Sequence, residues 1–157
     1  MPVVPGTAAG GEVAVEIAWG VVVLVAGLTC WLGQAIAASV PATAVKLGLT
    51  EPERDVDPGV HADTRGEAWW DTAITWPLPV AGVLLIIDHG WWPYFGLFGG
   101  AVYTYATGRW VFTRQVMLAR GIRVGTPAAV RTGRIAFAIW GAIAVVTMIA
   151  AVAALAA

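Results

Sequence analysis

Apolar residues along this chain fall into long blocks, and the charged residues are swept into the gaps between them. From Ile17 to Val40 no residue is charged. These 24 residues exceed the ~20 that a helix needs to cross a hydrocarbon core of ~30 Å. Pro41 marks the end of this block, because the residue before a proline is pushed out of the α region. A second uncharged run, TAITWPLPVAGVLLII, lies between Asp71 and Asp88. Its 16 residues rise about 24 Å as a helix, enough for a crossing if both aspartates sit at the interfaces. Pro77 and Pro79 predict a kinked start to it, with a re-entrant segment as the competing form. A third block begins at Pro93, well suited to a first helical turn, and reaches about Phe112, with Arg109 near its far end and able to snorkel. The last 23 residues, Ile135–Ala157, carry no charge.

The pattern predicts an all-α integral membrane protein, a four-transmembrane-helix bundle. One membrane domain covers residues 1–157, with helices at about 13–40, 70–88, 93–113 and 133–156. The Pro/Gly-rich opening MPVVPGTAAGG predicts a short flexible tail. Residues 42–70, with two prolines and nine Lys, Arg, Asp or Glu residues, predict one polar cytoplasmic loop of ~30 residues with an interfacial turn near Val45–Leu49. Trp69-Trp70 and the DHGWWP turn place indole rings where headgroups meet hydrocarbon. No repeat of fixed period pairs the helices into similar halves.

Composition agrees with lipid as the solvent. The chain is 59% hydrophobic and 12% charged, against about 45–50% and 25% for soluble domains. The first 45 residues hold no Lys or Arg, and Glu12 and Glu16 precede the first apolar block. A secretory signal needs the opposite charge pattern, so this block is expected to be a retained helix. The lone Cys30 forms no internal disulfide. All nine basic residues fall on the 42–70 and 113–134 connectors or within snorkelling reach of them. Short loops rich in Lys and Arg stay cytoplasmic. The expected location is therefore the inner (plasma) membrane, multi-pass, with both termini non-cytoplasmic.

Candidate contact faces follow from helical spacing. Gly96, Gly100, Thr104 and Gly108 recur every four residues and predict a groove for helix packing, with Phe95, Phe98, Val102 and Tyr105 on a bulkier face. Ala138, Ala142, Val146, Ala150 and Ala154 form a similar stripe on the last helix, and Ala26, Cys30, Gln34 and Ala38 one on the first. Such faces pack the chain's own helices, a second copy or another subunit. Arg120, Arg123, Arg131 and Arg134 are candidates for anionic lipid headgroups, each contributing ~1 kcal/mol near such a surface.

Chemistry is sparse. His61 and His89 are the only histidines, and they fall on opposite sides of the predicted membrane, so they do not share a haem. His89, beside Asp88 and Trp91-Trp92, is a candidate ligand for a single pigment or haem; no cofactor at all is the simpler expectation. The acids Glu51, Glu53, Asp55, Asp57 and Asp63 fail the calcium-loop pattern, since Gly59 and Gly66 stand at its fifth and twelfth positions. No metal site or catalytic residue is expected. The only serine, Ser39, lies opposite His89, which leaves no nucleophile–base pair. Every ionisable residue is expected at or beyond a helix end, unlike proton relays and ion pathways, which place them within spans. The basic connector lacks a phosphate-cradling loop and the aromatic clustering of a nucleic-acid platform. The function expected first is a non-catalytic accessory or structural subunit of a multi-subunit membrane complex of respiratory or photosynthetic type. The partners are then the bilayer and other membrane subunits or a second copy. A homo-oligomeric small-molecule channel or transporter is the alternative, and a lipid-modifying enzyme the third.

Overall fold

A computed structural model describes residues 7–157. The described residues are all-helical, 84% of them in helices and none in strands. The order is α1 (Thr7–Ser39), α2 (Pro41–Lys46), α3 (Pro58–Ile74), α4 (Pro77–Ile86), α5 (Trp92–Ala119) and α6 (Pro127–Ala156). Residues 1–6 of the expected tail lie outside the described residues; residues 7–11 are already helical.

Proline sets most of these boundaries. Pro41, Pro58, Pro77, Pro93 and Pro127 each stand in the first two positions of a helix. There the missing N–H is one the helix leaves unbonded anyway, and the fixed φ is already helical. Among the described residues the one side-chain N-cap is that of α6, the Thr126 hydroxyl accepting from the Ala129 N–H at 3.2 Å. Gly121 follows α5 with a φ of 73°, the left-handed conformation that closes a helix without a Cβ penalty.

The connector expected over 42–70 is largely helical. It holds α2, a 3-10 turn at Glu53–Asp55 and the 17 residues of α3. The segment expected as one helix over 70–88 is divided: α3 runs to Ile74 and α4 restarts at Pro77. The ring nitrogens of Pro77 and Pro79 carry no hydrogen, so the ladder of α3 cannot continue through them. Among the described residues, two helices are long and apolar enough to cross a membrane, Val13–Ser39 and Pro127–Ala156. At ten residues α4 is about 15 Å long, well short of such a length.

α4 is the wedge of the bundle. It packs between α1 and α5, α5 packs broadly on α6, and α3 lies along α1. One residue from each of α1, α4, α5 and α6 meets in a buried cluster, Val23, Leu78, Tyr103 and Ala144. Backbones come close where side chains are missing. A Cβ on Gly82 would lie 2.5 Å from the Leu24 nitrogen, and one on Gly99 2.6 Å from the Leu78 nitrogen. Such close approach brings many backbone and side-chain atoms of the three helices into van der Waals contact.

The expected groove on α5 meets α6 at its first two positions and a neighbour is missing at its last. Gly96 faces Thr147 and Ala151, and Gly100 faces Met148 and the Ala144 carbonyl, all on α6. The Thr104 hydroxyl is buried without a hydrogen-bond partner, and a Cβ on Gly108 would meet nothing within 4 Å. On α6 the face turned to α5 is Ala144, Thr147 and Ala151, which are buried, whereas Ala138, Ala142, Val146 and Ala154 of the expected stripe are exposed. An alanine-rich helix carries small residues on several faces, and the knobs of α5 select among them.

Gly100→Leu is expected to lower the thermal unfolding midpoint in detergent, with a cost of about 1–3 kcal/mol from overpacking. Gly108→Leu is expected to leave the midpoint within error, and parallel thermal scans of the two variants check the contrast.

Candidate functional site

The helices diverge toward the end that carries the two connectors. There α3 stands apart from α5, and a cleft of about 830 Å³ opens between α1 and α3 on one side and α5 and α6 on the other. Long side chains cross it. Arg114 of α5 donates from Nη2 to the Thr64 hydroxyl of α3 at 2.9 Å. One turn away, Arg109 donates to Asp63 at 3.1 Å and pairs with Glu67. Beyond these pairs, toward the bundle centre, the Gln34 amide of α1 donates to Asp71 Oδ2 at 3.1 Å. Asp63, Glu67 and Asp71 are spaced i, i+4, i+8, which stacks three carboxylates on one face of α3.

Arg114 is only 6% exposed and has no carboxylate within ion-pair distance among the described residues. Its guanidinium donates instead to the Thr64 hydroxyl and to the Met117 sulfur at 3.8 Å. Its plane lies 5.5 Å from the centre of the Trp110 ring, a geometry in which the ring quadrupole attracts the cation. Trp110 in turn stacks on Phe137, with centroids 4.4 Å apart, and Phe137 meets Trp140 edge-on at 5.8 Å. Gly133 makes this wall possible, because a Cβ there would lie 2.5 Å from the Trp110 ring.

Deeper in the bundle, polar side chains bond backbone across helices. Tyr103 donates to the Gly27 carbonyl at 3.0 Å, Trp140 to Ala26 at 3.1 Å and Trp31 to Thr72 at 2.9 Å. Arg65 reaches the Ala37 carbonyl at 3.0 Å. These bonds tie α5, α6 and α3 to α1, each of a kind that contributes about 0.6 kcal/mol in a membrane, and up to ~1.7.

The two connectors close the end of the cleft against each other. Val56 and Val124 form an isolated antiparallel bridge, buried with Val60 and Val130. The Asp57 N–H donates to the Arg123 carbonyl at 2.9 Å, and the Arg123 N–H donates back to Asp57 Oδ2 at 2.6 Å. Asp57 precedes α3 at the N-cap position, yet its carboxylate makes no capping bond; it is taken by Arg123. Glu51 accepts from the Thr126 N–H at 3.5 Å.

The residues singled out from sequence are scattered over this frame. His89 lies in the α4–α5 turn, at the end of the bundle away from the cleft. It is exposed, and its Nδ1 accepts from the Trp91 N–H at 3.3 Å. His61 lines the cleft. Among the described residues, no group of three or more His, Cys, Asp or Glu is placed to hold a metal. Arg123 is engaged by Asp57 and by the Arg54 carbonyl at 3.2 Å. Arg120, Arg131 and Arg134 are exposed and form no ion pair among the described residues. Arg131 and Arg134 border a second, shallower hollow beside the start of α6. The cleft itself was not visible as a site in sequence, although the i, i+4, i+8 carboxylates were its signal. Ionisable residues were expected only at helix ends, but Glu67 and Arg109 fall within α3 and α5, because those helices run further than the apolar blocks.

No protein-family model, curated protein or solved structure matches the chain.

Asp57→Ala is expected to free the connectors from each other at a stability cost of about 1 kcal/mol. Limited trypsin digestion should then cut after Arg54 and Arg123 several-fold faster than in the wild-type chain, and unchanged cleavage would mean the docking does not depend on this carboxylate.

Proposed function

We propose that this chain is a four-span integral membrane protein that acts as a non-catalytic accessory subunit of a membrane assembly. The observation that carries the reading is the fate of its internal polar groups. Tyr103, Trp140, Trp31, Gln34 and Arg65 are spent on bonds that tie one helix to another, and none is paired as a nucleophile with a base. Large apolar side chains, meanwhile, stay exposed along α1, α5 and α6, among them Val25, Phe98, Phe112 and Ile149. Lipid or another subunit's helices suit such surfaces.

In this reading α1, α5 and α6 cross singly, and the end of α3 completes the crossing that α4 begins. The docking of Val56 on Val124 supports an even number of crossings between the connectors, since it holds both at one end. Basic residues gather at that same end, which by the positive-inside rule is cytoplasmic. Arg120, Arg131 and Arg134 then face anionic lipid headgroups, with Arg123 held back by Asp57. His89 sits in the opposite turn, where Nδ1 accepts from the Trp91 N–H and the neutral ring carries its proton on Nε2; a pigment ligated there requires the other tautomer. A small-molecule transporter is the second reading, and the specific feature in its favour is the cleft between the helix pairs, lined by aromatic and charged side chains.

Alkaline phosphatase fused to either terminus is expected to be active, and fused within residues 47–52 inactive. The reverse pattern would invert the topology. Purification in mild detergent is expected to bring other membrane subunits with the chain; a monodisperse lone protomer would overturn the accessory reading.

A further inference from the structure

The charges of the cleft do not cancel. Four carboxylates, Glu51, Asp63, Glu67 and Asp71, line it against three guanidiniums, Arg65, Arg109 and Arg114. With His61 neutral this leaves one excess negative charge. Most of these groups are engaged. Asp63 and Glu67 hold Arg109, and as a group these two acids balance Arg109 and Arg114. Arg65 donates to a carbonyl of α1, and Glu51 accepts from the start of α6. Asp71 is different. Among the described residues its carboxylate makes no ion pair. Its only side-chain bond is the one Gln34 gives to Oδ2, so Oδ1 is open.

Position adds to this. Asp71 lies four residues past Glu67 on α3, about 6 Å further from the connectors. Trp70, Tyr105, Trp110, Phe137 and Trp140 line the same cleft, and Trp70 and Tyr105 are mostly exposed, at 64% and 70%. A carboxylate withdrawn from water calls for a counter-charge, and aromatic faces attract cations while excluding hydrated anions. The volume of about 830 Å³ falls within the ~300–1,000 Å³ of small-molecule sites. An anion would find no surplus positive charge here, because the lining as a whole is negative and Arg109 is already held by Asp63 and Glu67.

We propose that the cleft binds a lipophilic organic cation, an amine or quaternary centre bearing apolar groups, with Asp71 as its counter-charge and the aromatic wall as its seat. The cleft is built by one chain alone, so this site does not require the partner subunits of the accessory reading, and the loss of either leaves the other standing.

The test uses the purified full chain in non-ionic detergent and follows tryptophan fluorescence. Tetraphenylphosphonium is expected to quench it saturably, and tetraphenylborate, the same shape with the opposite charge, to bind at least tenfold more weakly. Asp71→Asn is expected to weaken tetraphenylphosphonium at least tenfold, and Asp88→Asn, in the far turn, to leave it unchanged. Equal affinity for the two ions in the wild-type chain would overturn the proposal, and that comparison needs no variant to fold. Wild-type affinity in an Asp71→Asn chain of unchanged helical circular dichroism would overturn it as well.

Discussion

Close backbone packing around α4 is the constraint from which the remaining geometry follows. Gly82 lets α4 approach the backbone of α1 at Leu24, Gly27 lets α1 approach Pro79, and Gly99 lets α5 approach Leu78. Three helices are thereby drawn together at the level of α4. Because α4 is only ten residues long, the clamp acts over a limited height. Beyond it α3 continues along α1, α5 continues with α6, and nothing forces α3 and α5 together. The cleft is the space left where the glycine contacts stop.

Opening that space creates a polar problem which the chain solves with long side chains. Arginine suits the task, since its forked donors reach two acceptors at once: Arg109 spans to both Asp63 and Glu67. These side chains are only partly shielded from solvent, so the pairs add little stability as isolated contacts. Their effect is to hold α3 at a set distance from α5. The stacked Trp110 and Phe137 do the same on the α6 side, and Gly133 removes the one Cβ that would push them into the gap.

How much of this was legible in sequence depends on which physical signal each part rests on. The helical class, the break at Pro41, the proline start at Pro93 and the gathering of basic residues in the two connectors are local or additive properties, and they can be read along the chain. The helix α3 was hidden because its charge density invited reading 42–70 as a solvated loop. Its period was present all the same, in Asp63, Glu67 and Asp71. Contact faces were harder. The i, i+4 pattern gives Gly96, Gly100, Thr104 and Gly108 equal standing, yet only the first two glycines meet α6, while Gly99, outside the pattern, meets α4. Which small residue matters is decided by where the neighbouring backbone lies, and one sequence does not contain that.

The same clamp explains why ionisable groups enter the helical body of a chain whose apolar blocks carry almost none. On the four-span reading proposed above, α4 covers about 15 Å, half of a ~30 Å hydrocarbon core. The last turns of α3 must supply the remainder, and they bring Asp71 and Glu67 with them. Gln34 and Trp31 of α1 stand opposite and donate to Asp71 and to the Thr72 carbonyl, meeting the polar groups that the short α4 leaves at depth. A longer, uninterrupted α4 would let α3 withdraw to the interface, and Asp71 and the carboxylate face beside it would leave the bundle. The proline break at Pro77 thus does more than kink a helix: it decides that a carboxylate lines an aromatic cleft.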